Sequence, residues 1–170
     1  MPKIIVAYVR YVDLFNRVIG KFAMYLVFIM MGILLLSSIQ RTTTGSTFEW
    51  IMEMAQFTMA AYYLLGGAYS MQLESHVRMD VFYSKWSPKR RAITDSFTIL
   101  FMIFYLVILL YGAISSTQYA WEYSQHNYSS WAPPMSPIKI IMTIGIFMML
   151  LQTIATFFKD LAAIKGETIV

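Results

Sequence analysis

The sequence predicts an all-α, polytopic membrane protein of four transmembrane helices, with both chain ends on the cytoplasmic side. Three observations carry that reading. The 170 residues are 58% hydrophobic and 13% charged, with a mean hydropathy of +0.58, far more apolar than soluble domains with about 45–50% apolar and 25% charged residues. Four uncharged runs have the length of a bilayer span, and 11 of the 13 Lys and Arg residues fall on one side of them. Four spans of about 20 residues and their connections occupy the whole length, so a single membrane domain, residues 1–170, is expected.

The first element is residues 2–20. Lys3, Arg10 and Arg17 recur every seven residues with Asp13 beside them, and Ile4, Ile5, Tyr8, Val12, Phe15 and Ile19 cover the rest. On a helix this gives one polar stripe on an apolar body. Two readings follow: an amphipathic helix lying in the cytoplasmic interface with its basic stripe on headgroups, or a cytoplasmic prolongation of the first span.

That span is residues 22–40, nineteen uncharged residues between Lys21 and Arg41. At about 1.5 Å per residue it matches a hydrocarbon core of about 30 Å. It is too long for a secretory signal, and no small-x-small cleavage site follows it, so an uncleaved anchor is expected. The second span is residues 53–73, whose uncharged part, from Met54 to Leu73, ends at Glu74. The third, residues 96–121, has 26 residues and must tilt or protrude. Ser87-Pro88 reads as an N-cap followed by proline at the first helical position, so its helix should begin well before the apolar run. The fourth, residues 140–158, lies between Lys139 and Lys159 and follows Ala132-Pro133-Pro134-Met135-Ser136-Pro137, a rigid non-helical connection.

The basic residues orient the four. The N-terminal segment, the central loop and the tail hold all but Arg41 and Lys139, which places those three segments in the cytoplasm. Trp50, Trp86, Trp121 and Trp131 lie at span ends or in loops, as an interfacial aromatic belt requires. The net charge of +4 is therefore topological and does not point to nucleic acid.

Chemistry is harder to find. The chain has no cysteine, which excludes disulfides, thiolate catalysis, Cys-ligated zinc and iron–sulfur clusters. His76 and His126 would lie on opposite sides of the bilayer, which argues against a bis-His haem. No Ser-His-Asp set, phosphate loop or metal spacing occurs, and no intramembrane polar cluster is evident. Catalytic, cofactor and metal residues are accordingly expected to be none.

What remains reads as contact surface. Glu49 and Glu53 stand one turn apart at the start of span two, either as receivers of a partner's basic group or as a solvated helix start favoured by the dipole. Gly66, Gly67 and Ser70 in span two, and Gly112 and Ser116 in span three, are small residues that allow close helix packing, within the chain or against a partner. Gln72, Gln118 and Gln152 read as interhelical hydrogen-bonding groups. His76, Arg78 and Asp80, just after span two, form either a juxtamembrane charged turn or a docking point.

Taken in order, Glu49 and Glu53, Leu65-Gly66-Gly67-Ala68, His76-Val77-Arg78-Met79-Asp80, Ser130-Trp131 with Pro133, Lys139, Gly145 and Leu150-Leu151-Gln152 resemble one family. It is the small membrane subunit of tripartite ATP-independent periplasmic (TRAP) transporters, the DctQ-like family, and the resemblance covers nearly the whole chain. By overall look the chain is similar to the sialic-acid branch, though no residue identified reads the substrate. The resemblance implies a scaffold subunit of a sodium-driven importer of organic acids in the bacterial inner membrane. Its partners would be a large membrane subunit holding the sodium and substrate sites, a periplasmic substrate-binding protein, and membrane lipids. Arg41, Glu49, Trp131 and Lys139 would then be candidates for contact with the binding protein, Arg41 and Lys139 equally serving as snorkelling anchors. Two other classes stand beside this one. A four-helix glutathione-using enzyme would rest on Arg78 and Tyr83, and a cytochrome or dehydrogenase anchor would carry haem.

Overall fold

The computed structural model describes residues 3–46, 48–73 and 88–164, with the side chains of 88–92 and 163 left aside. Within them the chain forms four helices: α1 (Lys3–Thr44), α2 (Glu49–Gln72), α3 (Pro88–Glu122) and α4 (Ser136–Ile164). No strand occurs among the described residues; the nearest thing is a single antiparallel bridge between His126 and Pro134. By length and composition α1, α3 and α4 could each cross a bilayer. α2 is not among them, because Gln56, Thr58, Tyr62, Tyr63, Tyr69 and Ser70 dilute its apolar character.

α1 bears on the two readings of residues 2–20. It runs unbroken through Gly20 and Lys21 for 42 residues, about 63 Å at 1.5 Å per residue. Residues 3–20 and the first expected span are therefore parts of one continuous helix. Part of the apolar side of residues 3–20 packs on the protein itself: Val9 and Val12 form a core cluster with Ala155 of α4, joined by Ile5, Tyr8, Leu151 and Phe158, while Ile4, Leu14, Phe15 and Val18 stay exposed. Lys3, Arg10 and Arg17 stay exposed on the other side. Val9, Val12, Asn16, Gly20 and Ala23 are the buried residues of α1, at steps of three and four. Beyond Ala23 none is buried; Leu26, Val27, Met30, Ile33, Ser37 and Gln40 are half-buried along one line, and the rest is open.

The ends are made locally. Thr42, Thr43 and Thr44 turn their hydroxyls back onto carbonyls of the preceding turn, and Gly45, at φ +71°, closes α1 with an N–H to Arg41 O of 3.1 Å. α2 starts after Phe48 with Glu49 in its first turn. α3 begins at Pro88, as expected for proline at a first helical position; Ser87, the expected cap, lies outside the described residues.

α4 is the centre of the bundle. It packs against each of the other three helices, α1 packs on α2, and α3 rests chiefly on α4. The α3–α4 seam is a heptad line of Leu106 and Ala113 against Ile146, with Ala120 buried one heptad further. The opposite face of α3, with Phe97, Phe101, Phe104, Tyr105, Ile108 and Tyr111, is exposed. Close approach between α2 and α4 depends on glycine: a Cβ on Gly145 would lie 2.7 Å from Leu64 O.

Candidate interaction sites

Polar side chains inside an apolar bundle are costly unless paired, so their pairing shows what each is for. Where α1 begins and α4 ends, four of them join. Asn16 Nδ2 donates to Gln152 Oε1 (2.6 Å), Gln152 Nε2 donates to Asp13 Oδ1 (3.0 Å), and Lys159 Nζ meets Asp13 Oδ2 at 2.6 Å. Asn16 and Gln152 are fully buried, whereas the Asp13 and Lys159 side chains are 19% and 29% exposed. Tyr8 adds a bond from its hydroxyl to Leu151 O at 3.2 Å. Of the four, only Gln152 falls within an expected span; Asp13 and Asn16 precede the first and Lys159 follows the fourth. Gln152 was expected as an interhelical hydrogen-bonding group, and it is one. Its partners were not foreseen, although Asp13 and Asn16 sit three apart on α1, and Gln152 and Lys159 seven apart on α4, both helical spacings. The cluster joins two helices and so works as a clamp, with only Asn16 Oδ1 left buried and unpartnered within it among the described residues.

A second polar cluster ties α3 to α4 at the other end. Thr117 and Thr143 hydroxyls are 2.9 Å apart, and both also reach backbone carbonyls. Lys139 Nζ donates to Gln125 Oε1 (2.6 Å) and Ser116 O (3.3 Å), an internal use of a residue expected at a partner or in the headgroups. The connection between α3 and α4 folds back on itself through Asn127 N to Pro133 O (3.0 Å) and Met135 N to Gln125 O (2.9 Å). Ala132 holds φ +44° within it, beside buried Pro133. Ser136 caps the arrangement with a bond to Ala120 O.

The remaining expected contact residues are dispersed. Arg41 and Glu49 are exposed, and Trp131 is 43% exposed. Glu53 differs from all of them. It is only 7% exposed, and its Oε2 is buried with no hydrogen-bond partner among the described residues. His76, Arg78 and Asp80, with Tyr83 and Trp86, lie outside the described residues.

Of the small residues, Gly67 sits under Met149, where a Cβ would lie 3.0 Å from its Sδ. Gly66 has nothing within 4 Å and, with Gly20, Ala23, Gly67 and Ser70, floors an open groove of about 450 Å³ between α1 and α2. Gly112 also faces open space; in α3 the residues that meet α4 are Ala113 and Thr117, one position on from Gly112 and Ser116. The tightest glycine of α1 is Gly20, packed on the Tyr69 side chain. It was overlooked because it stands between Ile19 and Lys21 rather than in a small-residue pair.

Among the described residues no group of three His, Cys, Asp or Glu could hold a metal ion. Compared with known proteins, residues 30–163 match the family model described as "Tripartite ATP-independent periplasmic transporters, DctQ component". No curated protein and no solved structure matches the chain.

Proposed function

Because the chain belongs to the DctQ component family of tripartite ATP-independent periplasmic transporters, we propose that it is the fixed scaffold half of a two-part membrane importer. A large membrane subunit carries the sodium and substrate sites, and a periplasmic binding protein delivers an organic acid. The chain needs no cofactor of its own. The observation that carries this reading is the family match across residues 30–163. The architecture supports it. The polar side chains of the two interhelical clusters bind one another, as suits a rigid part, while the outer half of α1 and the outer face of α3 leave large apolar surfaces for something to cover.

In this reading all four helices span the bacterial inner membrane, α2 included. α2 is shielded by α1 and α4 and so tolerates a less apolar sequence. The distribution of Lys and Arg puts both chain ends in the cytoplasm. Arg41, Glu49 and Trp131 then stand at the periplasmic rim, where the binding protein arrives. The substrate is a sialic acid or a C4-dicarboxylate.

Two measurements test it. Purified alone in proteoliposomes, the chain should move no organic acid, and uptake should require the large subunit and the binding protein together; sodium-driven uptake by this chain alone would refute the scaffold role. A chain without cysteine needs no cysteine removal before labelling. Tyr128→Cys, at a fully exposed position, should react with an impermeant maleimide from the periplasm, and Lys3→Cys should not. The reverse pattern would overturn the orientation.

A further inference from the structure

Two buried acceptors near the α1–α2 turn have no donor among the described residues. Glu53 Oε2 and Gln40 Oε1 are both buried and unpartnered among the described residues. Gly20 against Tyr69 sets the antiparallel register of α1 and α2, and that register brings Gln40 level with Glu49, one turn from Glu53. Gln40 lies on the line of α1 that faces α2. A carboxylate left unpaired in an apolar bundle is costly, yet neither basic residue of this end meets it: Lys139 is held by Gln125 and Ser116 O, and Arg41 is exposed. Two acceptors are too few for a sodium or calcium ion, which takes about six oxygens or more. An unpaired carboxylate with a neutral acceptor about one turn away suits a guanidinium, which carries five N–H donors. On the flank of α1 that Gln40 occupies, Ile29 and Leu36 are exposed, an apolar surface on which a partner helix can lie.

We propose that Glu53 is the receptor for an arginine of the large membrane subunit, with Gln40 as the second acceptor and exposed Glu49 as the outer step of its approach. The proposal rests on the scaffold reading and names the contact that joins the two membrane chains.

The test is co-expression of the full chain, tagged, with the large subunit. Large subunit retained per tagged chain is measured in detergent, alongside the melting temperature of the chain alone, for wild type, Glu53→Gln and Glu53→Leu. Both variants should lower retention at least about tenfold, while the chain alone melts at or above the wild-type temperature, because an unpaired carboxylate has been removed. Wild-type retention in both variants overturns the proposal. So does a loss of retention matched by an equal loss of melting temperature in the chain alone, which would make Glu53 internal structure. Unchanged retention with loss of a bound amine-headed phospholipid, read by native mass spectrometry, overturns it in favour of lipid. A wild-type chain that retains no large subunit refutes the scaffold reading itself, a result distinct from the others.

Discussion

Gly145→Ala is the most incisive single test of how this bundle is held. In lipid the hydrophobic effect does not press helices together, so close backbone contact and interhelical hydrogen bonds must. Alanine is the better helix former by about 0.5–1 kcal/mol, so on propensity alone the change should stabilise. The added Cβ would stand 2.7 Å from Leu64 O, 3.0 Å from Leu64 C and 3.1 Å from Leu64 Cβ, short of the roughly 3.5–4.0 Å at which carbon contacts are favourable. Two of those three atoms are backbone and have no rotamer to yield. α2 and α4 must therefore separate, at an overpacking cost of about 1–3 kcal/mol, and α4 is the helix on which the rest of the bundle rests. Subtracting the propensity gain leaves a net loss of up to about 2 kcal/mol, which for a chain of this size lowers the melting temperature by up to roughly 4–8 °C. Gly112→Ala supplies the control, since a Cβ there meets nothing within 4 Å; it should hold or raise the melting temperature. Thermal unfolding of the two variants in the same detergent decides the matter. Equal tolerance of both changes would refute the claim that α2 and α4 meet at Gly145.

Asp13→Asn and Lys159→Met should each destabilise the chain by about 1–3 kcal/mol, and the double variant by less than their sum, because a single change leaves a partly buried charge unpaired; a double-mutant cycle in detergent reads the coupling, and additivity would count against the clamp. Thr117→Val removes the hydroxyl bonded to Thr143 and should cost about 0.6–1.7 kcal/mol in the same melt. Ala132→Gly should raise stability by up to about 1 kcal/mol, and Ala132→Val should lower it by at least that much, because φ is +44° there; the reverse order would contradict the described turn.

The helices were legible because uncharged length is a direct physical requirement of crossing a bilayer, and the apolar runs around 22–40, 96–121 and 140–158 each lie inside an observed helix. α2 was legible as a helix for the same reason, although its tyrosines and glutamine keep it below the apolar character of the others. The fate of residues 3–20 was not legible, since the same apolar stripe fits a membrane surface or another helix, and only the presence of Ala155, Leu151 and Phe158 opposite it decides. The polar clamp was half legible. Gln152 announces itself inside an apolar run, but Asp13 and Lys159 look like ordinary cytoplasmic charges until α1 and α4 lie side by side. Small residues mislead by one position in α3, where Gly112 faces outward and Ala113 inward. Sequence spacing gives the angular step between residues and leaves the direction of the neighbour open.

The unbroken length of α1 has a mechanical consequence. Its first half is fastened to α4 by Val9, Val12 and the Asp13–Lys159 pair, while its second half carries no buried residue. It is held by two different helices, by α4 along the first half and by α2 along the second, where one line is half-buried and the flanks are open. A lone helix in a bilayer can wander over a wide range of tilt, but this one has its inclination imposed by both neighbours. Whatever settles against the open flanks meets a surface already at its final angle, and so gives up less orientational freedom in doing so.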